Sequence, residues 1–156
     1  MAVTLRVSKD FGPLGLHLTA QDMHDVGDLL VRRIQTRTQS GVDVHGGSFR
    51  GYSPEYAKAK RAALGHSRVD LTVSGRMLND MQVVETTDRT CTISFISSGG
   101  GGGGGTFIQR SRAMGAADKA EFNNPSREFF GASAEDEEAI VAALEKVLQA
   151  RFDHQE

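Results

Sequence analysis

The residues with the most obvious chemical potential are a run of seven consecutive glycines, Gly99 to Gly105. A glycine-rich loop cradles phosphate when a lysine and a hydroxyl residue follow it at the mouth of a helix. Here Gly105 leads into Thr106-Phe107-Ile108 with no lysine, so the glycines read as spacers. The five histidines (His17, His24, His45, His66 and His154) show no close helical pairing of the kind that holds zinc. Ser74 precedes Gly75, but Thr72 stands where a nucleophile elbow needs its first glycine, which leaves helix capping as its expected role. Cys91 lies in an alternating pattern with only Arg89 as a nearby cation, the setting of an inert buried thiol. Glu135 to Glu138 are four consecutive acids that point in different directions around a helix, a solvated helix start rather than a catalytic pair. No catalytic group, metal site or cofactor is expected, and the chain is read as a non-enzyme.

A second kind of chemistry is recognition of a polyanion. Arg50, Lys58, Lys60, Arg61, Arg68 and Arg76 are offset only by Glu55 and Asp70 within residues 50–76, leaving +4. Such residues can contact a nucleic-acid backbone. The excess is modest, and no recognised nucleic-acid motif accompanies it. An accessory nucleic-acid-binding protein using segment 50–76 is therefore the alternative reading. The same asymmetry runs through the whole chain: residues 1–78 carry a net +4 and residues 79–156 a net −6. Surfaces of opposite sign suit a head-to-tail contact in which one copy's basic face meets the next copy's acidic face.

The elements that must position these groups fit one domain spanning residues 1–156, with a Gly-rich loop at 97–105 inside it. A chain this long buries roughly 68–70% of its unfolded surface, enough for an ordinary core without disulfides. The single cysteine gives no sign of an oxidising compartment, and the first residues lack the apolar stretch of a signal peptide. No uncharged apolar run approaches the roughly 20 residues that span a bilayer, so no membrane partner is expected and the chain is read as made in the cytoplasm.

Val3, Leu5 and Val7 alternate with polar residues as in a half-buried strand, and Leu14, Leu16 and Leu18 suggest a returning one. Thr19 with Asp22 predicts a capped helix start, followed by the stripe Met23, Val26, Leu30, Ile34 and a stop near Gly41. Residues 41–52 form a loop with two aromatic anchors, Phe49 and Tyr52. Ser53-Pro54-Glu55 opens a second helix that ends at Gly65, with Lys58, Lys60 and Arg61 as its basic face. Val69–Val73 reads as short and extended, and Ser74 as the cap of a brief helix with Met77, Leu78 and Met81. Val83-Val84, a turn at Thr87-Asp88-Arg89, and the alternation of Cys91, Ile93 and Phe95 predict a hairpin.

Ordering the glycine run would cost roughly 1–2 kcal/mol per residue, so it is expected to be mobile in a free monomer. Thr106-Phe107-Ile108-Gln109 has capping-box spacing and predicts a helix carrying Ala113, Met114, Ala117 and Ala120, stopped by Asn123-Asn124-Pro125. Ser133 should cap the last helix, whose stripe is Ile140, Ala143, Leu144, Val147 and Leu148. The fold class is α+β: a small antiparallel sheet packed by an N-terminal and a C-terminal amphipathic helix.

Three ordered segments carry a resemblance. Gly47-Ser48-Phe49-Arg50-Gly51-Tyr52-Ser53-Pro54-Glu55-Tyr56-Ala57, then Lys58 and Lys60, is an aromatic, Ser-Pro and basic-helix element. Val69-Asp70-Leu71-Thr72-Val73-Ser74-Gly75-Arg76-Met77-Leu78 precedes the hairpin, and Arg127-Glu128-Phe129-Phe130-Gly131-Ala132-Ser133 precedes the last helix. In this order they resemble the virion-morphogenesis and tail-completion family of tailed phages, over roughly residues 20–150. The resemblance implies a small α+β subunit in the virion neck or upper tail. It also implies assembly into a ring, naturally of six or twelve copies, that joins or finishes head and tail. Its partners would be copies of itself and other neck, connector or tail proteins, with passing contact with DNA inside the ring. The glycine run departs from the shorter connection that relatives commonly carry. Candidate interface residues are Phe49, Tyr52, Lys58, Lys60, Arg61, Arg127, Phe129 and Phe130; core packing is the alternative for each aromatic pair, and the favoured one for Phe129 with Phe130.

Overall fold

The alternating apolar pattern of Thr90–Phe95 places this strand at the centre of the molecule. The computed structural model describes residues 1–8, 16–72, 75–96 and 115–154. Three strands, β1 (Ala2–Arg6), β2 (Met81–Thr86) and β3 (Thr90–Phe95), form an antiparallel sheet in the order β1-β3-β2. Ala2 pairs with Ser94 and Arg6 with Thr90 on one side of β3, while Met81 pairs with Phe95 and Thr86 with Cys91 on the other. The register of β2 shifts between Val83 and Glu85. Central placement explains why Cys91 and Ile93 are fully buried while the outer strands are only partly covered.

Helix α1 (Ala20–Gln39) lies against the sheet and supplies the other half of the core. Thr19 caps it as expected: Asp22 N donates to the Thr19 hydroxyl, and the Asp22 carboxylate accepts from Thr19 N at 2.6 Å. Met23, Val26, Leu30 and Ile34 all face inward. Burying a side chain of this size contributes about 1.5–3 kcal/mol. Gly27 sits on the same face for steric reasons. A Cβ there would come within 2.3 Å of Cys91 Sγ and 2.6 Å of Val83 Cγ2, so only glycine lets α1 approach the sheet this closely.

Helix α2 (Pro54–Leu64) has the expected Ser53 cap and ends at Gly65, whose φ of 77° suits glycine. After α3 (Arg76–Asn79) and the hairpin come α4 (Ala116–Asn123) and α5 (Ala134–Asp153). Ser133 caps α5 in a capping box with Asp136. Ile140 and Leu148 are buried on α5, with Ala143, Leu144 and Val147 partly so, and α5 packs along α1. The architecture is α+β, with a three-stranded antiparallel sheet and long amphipathic helices near either end of the chain.

Several local expectations are corrected. Leu16 and Leu18 are buried but form no strand, because the backbone there runs directly into the cap of α1; Leu14 lies outside the described residues. Residues 69–72 are not an extended strand. Asp70 turns inward to an ion pair, and Leu71 adopts a φ of 51°, uncommon for a non-glycine residue. Gly75, with a φ of 73°, occupies the cap position of α3 without a side-chain hydrogen bond, and Ser74 lies outside the described residues. Met81 begins β2 rather than ending the brief helix. The expected capping box at Thr106–Gln109, the Gly-rich loop 97–105, Ala113 and Met114 also lie outside the described residues; within the described part, the fourth helix runs from Ala116.

The contact at Gly27 gives a direct test of this packing. Gly27→Ala should destabilise the fold by about 1–3 kcal/mol, as overpacking of a filled core does, measured by urea unfolding. Adding Cys91→Ala should recover part of the loss. An unchanged midpoint for the single variant would contradict the packing of α1 on the sheet.

Candidate functional site

Among the described residues, several side chains with chemical potential are engaged in holding structure, whereas the buried His66 Nδ1 has no hydrogen-bond partner there. The Cys91 thiol is buried on β3, and burial, aided by the charge of Asp28, pushes its pKa up to about 11. His45 lies 2.9 Å from Glu128 on the surface, and His24 lies 3.6 Å from Asp28 one helical turn on. No group of three or more His, Cys, Asp or Glu side chains suited to a metal ion occurs among the described residues. A cleft of about 850 Å³ between α1 and the start of α5 is lined by Arg32, Arg33, Thr36, Arg37 and Asp136 among others. It holds no nucleophile paired with a base.

The acidic start of α5 is where the sequence reading needs its largest correction. Glu135, Glu137 and Glu138 are exposed as expected, but Asp136 is only 2% exposed. Its carboxylate accepts Arg33 Nε at 2.6 Å, an Arg37 guanidinium N–H, and Ser133 N at 2.9 Å. Burial alone would raise its pKa. The backbone hydrogen bond from Ser133, the Arg33 hydrogen bond, the Ser133 side chain and the Arg37 charge outweigh that and hold the carboxyl below its ordinary value. Arg37 also donates to the carbonyls of Phe129 at 3.0 Å and Gly131 at 2.8 Å. One carboxylate thus fastens α1 to α5 and, through Arg37, to the arginine-aromatic segment.

The three segments of the family resemblance meet around Tyr52. Arg127 lies over the Tyr52 ring at 4.8 Å from its centroid and donates to the carbonyls of Arg50 at 2.9 Å and Gly51 at 3.1 Å. Lys60 Nζ lies 5.1 Å from the same centroid, and Tyr56 packs edge-on at 4.6 Å. The Tyr52 hydroxyl accepts Leu71 N at 3.2 Å, which pins the positive-φ residue. Burial, together with the charges of Tyr56 and Asp70, raises the Tyr52 pKa far above its ordinary value.

Of the candidate interface residues, the structure gathers Tyr52, Lys60 and Arg127 at this point and takes several others out of solvent. Lys60 is not on the basic face of α2. It is fully buried, ion-paired with Asp70, and donates to Arg68 O at 2.7 Å. Phe49, Phe129 and Phe130 are buried too. Phe95 and Phe130 have centroids 5.0 Å apart, and Asn124 Oδ1 accepts both Phe129 N and Phe130 N. Phe129 and Phe130 pack against Phe95 at the end of β3, and Phe49 belongs to the same core cluster. Lys58 and Arg61 remain exposed on α2.

Asp70, Asp136, Arg33 and Arg37 escaped the sequence reading. An aspartate inside the apolar run Val69–Val73 was a usable signal for Asp70; the Ser133-x-x-Asp136 spacing signalled a cap but not a burial site.

No protein-family model, no curated protein and no solved structure matches the chain. No described helix is long and apolar enough to cross a membrane.

Asp136 makes a testable pH signature. A carboxylate whose folded pKa is depressed adds stability above its unfolded pKa of about 3.9, and that stability is lost as pH falls through the lower folded value. Asp136→Asn should cost about 3 kcal/mol at neutral pH, since it leaves buried guanidinium charge uncompensated. It should also flatten the loss of stability below about pH 4. Denaturant titrations from pH 7 to pH 2 check both effects; parallel curves for the two proteins would contradict this role.

Proposed function

We propose that this chain is a structural subunit of the neck or tail of a tailed-phage particle, acting as an oligomeric ring in tail completion or head–tail joining rather than as an enzyme. The observation that carries the reading is the ordered triple of sequence segments. Their key residues (Tyr52 and Lys60, Asp70 and Leu71, Arg127) touch one another in the fold. Segments far apart in sequence that meet at one point form a single structural device, and this makes a chance similarity of three short strings a poorer account.

Two further features support the reading. The buried ion pairs Asp136 with Arg33 and Arg37, and Lys60 with Asp70, serve as fasteners, which suits a subunit whose task is mechanical. The positive first half and negative second half of the chain supply charges of both signs from which the unlike faces of a head-to-tail ring can be built. Such a subunit is made in the host cytoplasm and resides in the virion, with other neck, connector or tail proteins as neighbours. DNA passing through the ring would meet basic side chains such as Arg50 and Arg68, which are exposed. Burial of the Lys60–Asp70 pair removes one charge of each sign from that segment and leaves its excess of +4 in place, so an accessory nucleic-acid-binding role stays the second reading.

Sedimentation velocity over a wide concentration range, alone and with the neck and tail proteins encoded beside it, tests the proposal. The expected result is a discrete closed oligomer, of six or twelve copies, formed alone or on a partner. A chain that stays monomeric throughout and binds none of those proteins would overturn it.

A further inference from the structure

Helix α2 is peculiar in what it gives to the fold. Its single buried side chain is Lys60, a cation. Its packing against other helices and strands is slight compared with that of α1 or α5. An isolated helix of this length is marginal in water, and a buried ion pair is a weak source of net stability. The Lys60–Asp70 pair, the Tyr52 ring and Arg127 therefore serve to hold α2 at a fixed attitude. What they present is its outer face: Pro54, Lys58, Arg61 and Ala62 fall on one side of the helix and are all exposed. Arg50 and Arg68, also exposed, flank it. Neither Lys58 nor Arg61 has an ion-pair partner among the described residues.

A face of opposite character lies on α5. Glu138, Val141, Ala142, Glu145, Gln149 and Phe152 recur at spacings of three and four on the side away from α1, and all are exposed. Val141 at 53% and Phe152 at 48% are among the most exposed large apolar side chains described. Phe152 borders a shallow groove of about 660 Å³ whose floor includes Leu16 and Leu148. Glu138 and Glu145 have no ion-pair partner among the described residues. This face is acidic at two positions a heptad apart, with apolar contacts between and beyond them, and Lys146, also exposed, lines the same groove beside Glu145.

We infer that the outer face of α2 in one copy docks on the outer face of α5 in a second copy. Lys58 and Arg61 there meet Glu138 and Glu145, and the small Ala62 lets the α2 backbone approach Val141. Charge complementarity selects the occupant. A cationic helix face with a small residue near its C-terminal end and an anionic face with exposed apolar groups are matched, and among the described residues their charges form no ion pair within one copy. Because the two surfaces differ, the contact is heterologous, the type that propagates around a ring. This inference rests on the ring reading above and specifies where its subunits touch.

The test uses the full chain with two charge reversals, Lys58→Glu with Arg61→Glu, and Glu138→Lys with Glu145→Lys, separately and combined. All four positions are solvent-exposed, and circular dichroism checks that each variant folds. Each reversed pair should weaken self-association on the order of ten-fold or more, because like charges then face each other. The four-fold variant should recover most of that loss. As a readout independent of mutation, an equal mixture of ¹⁴N and ¹⁵N protein is cross-linked with a carbodiimide. Mixed-isotope peptide pairs should join Lys58 to Glu138 or Glu145.

If the wild type assembles while both reversed pairs assemble equally well, or if the mixed-isotope links fall elsewhere, this interface is wrong and the ring reading stands. Loss of DNA binding in the α2 variant with unchanged assembly would likewise overturn it. A wild type that never assembles, alone or with its neck and tail partners, removes both.

Discussion

The carboxylate of Asp136 is the point on which the rest of the arrangement depends. Buried at the start of α5, it accepts two arginines from α1 and the Ser133 N–H of its own cap. Without it, Arg33 and Arg37 would face each other with their charges uncompensated, and the two longest helices would keep their apolar seam and the Arg151–Asp22 ion pair at the other end. Arg37 extends the same tie to the carbonyls of Phe129 and Gly131, which sets the loop that drops Phe129 and Phe130 onto Phe95. A second ion pair, between Lys60 and Asp70, plays the matching part for α2. Apolar burial drives the core together, whereas directional charged hydrogen bonds decide how the peripheral pieces stand on it.

That division of labour connects fold to proposed function. A subunit that works by fitting against neighbours needs outer faces held at fixed angles more than it needs a pocket. The Tyr52 cluster supplies such rigidity where α2 contributes no apolar stripe to the core. Arg127 and Lys60 both lie close over one aromatic ring, and its hydroxyl accepts Leu71 N at the positive-φ turn. The glycine at position 27 does similar service in the core, allowing α1 to lie directly on Cys91 and Val83.

What could be read from the sequence was what is local. The caps at Thr19, Ser53 and Ser133, the stop at Gly65, the hairpin around Thr87–Arg89 and the stripe on α1 each depend on residues three or four apart, and each stands where expected. The polar ties were illegible for the opposite reason: Arg33 and Asp136 are 103 residues apart, and nothing in either neighbourhood names the partner. Lys60 shows the limit clearly. On a helical wheel it belongs with charged neighbours, and only the return of Asp70 beneath α2 makes burial affordable. The aromatic pairs stood between docking and core packing, and burial decides for the core at Phe49, Phe129 and Phe130, a choice their local sequence alone did not make.

The account's central claim is that this polypeptide acts through many copies set side by side in a particle. Reconstruction by electron cryomicroscopy of the phage particle encoded with it addresses that claim most directly. The account predicts density for this fold repeated around the particle axis at the junction of head and tail, each copy touching its neighbours on both flanks. A particle complete without this chain, or one in which it sits as a single copy with both flanks free, would contradict it.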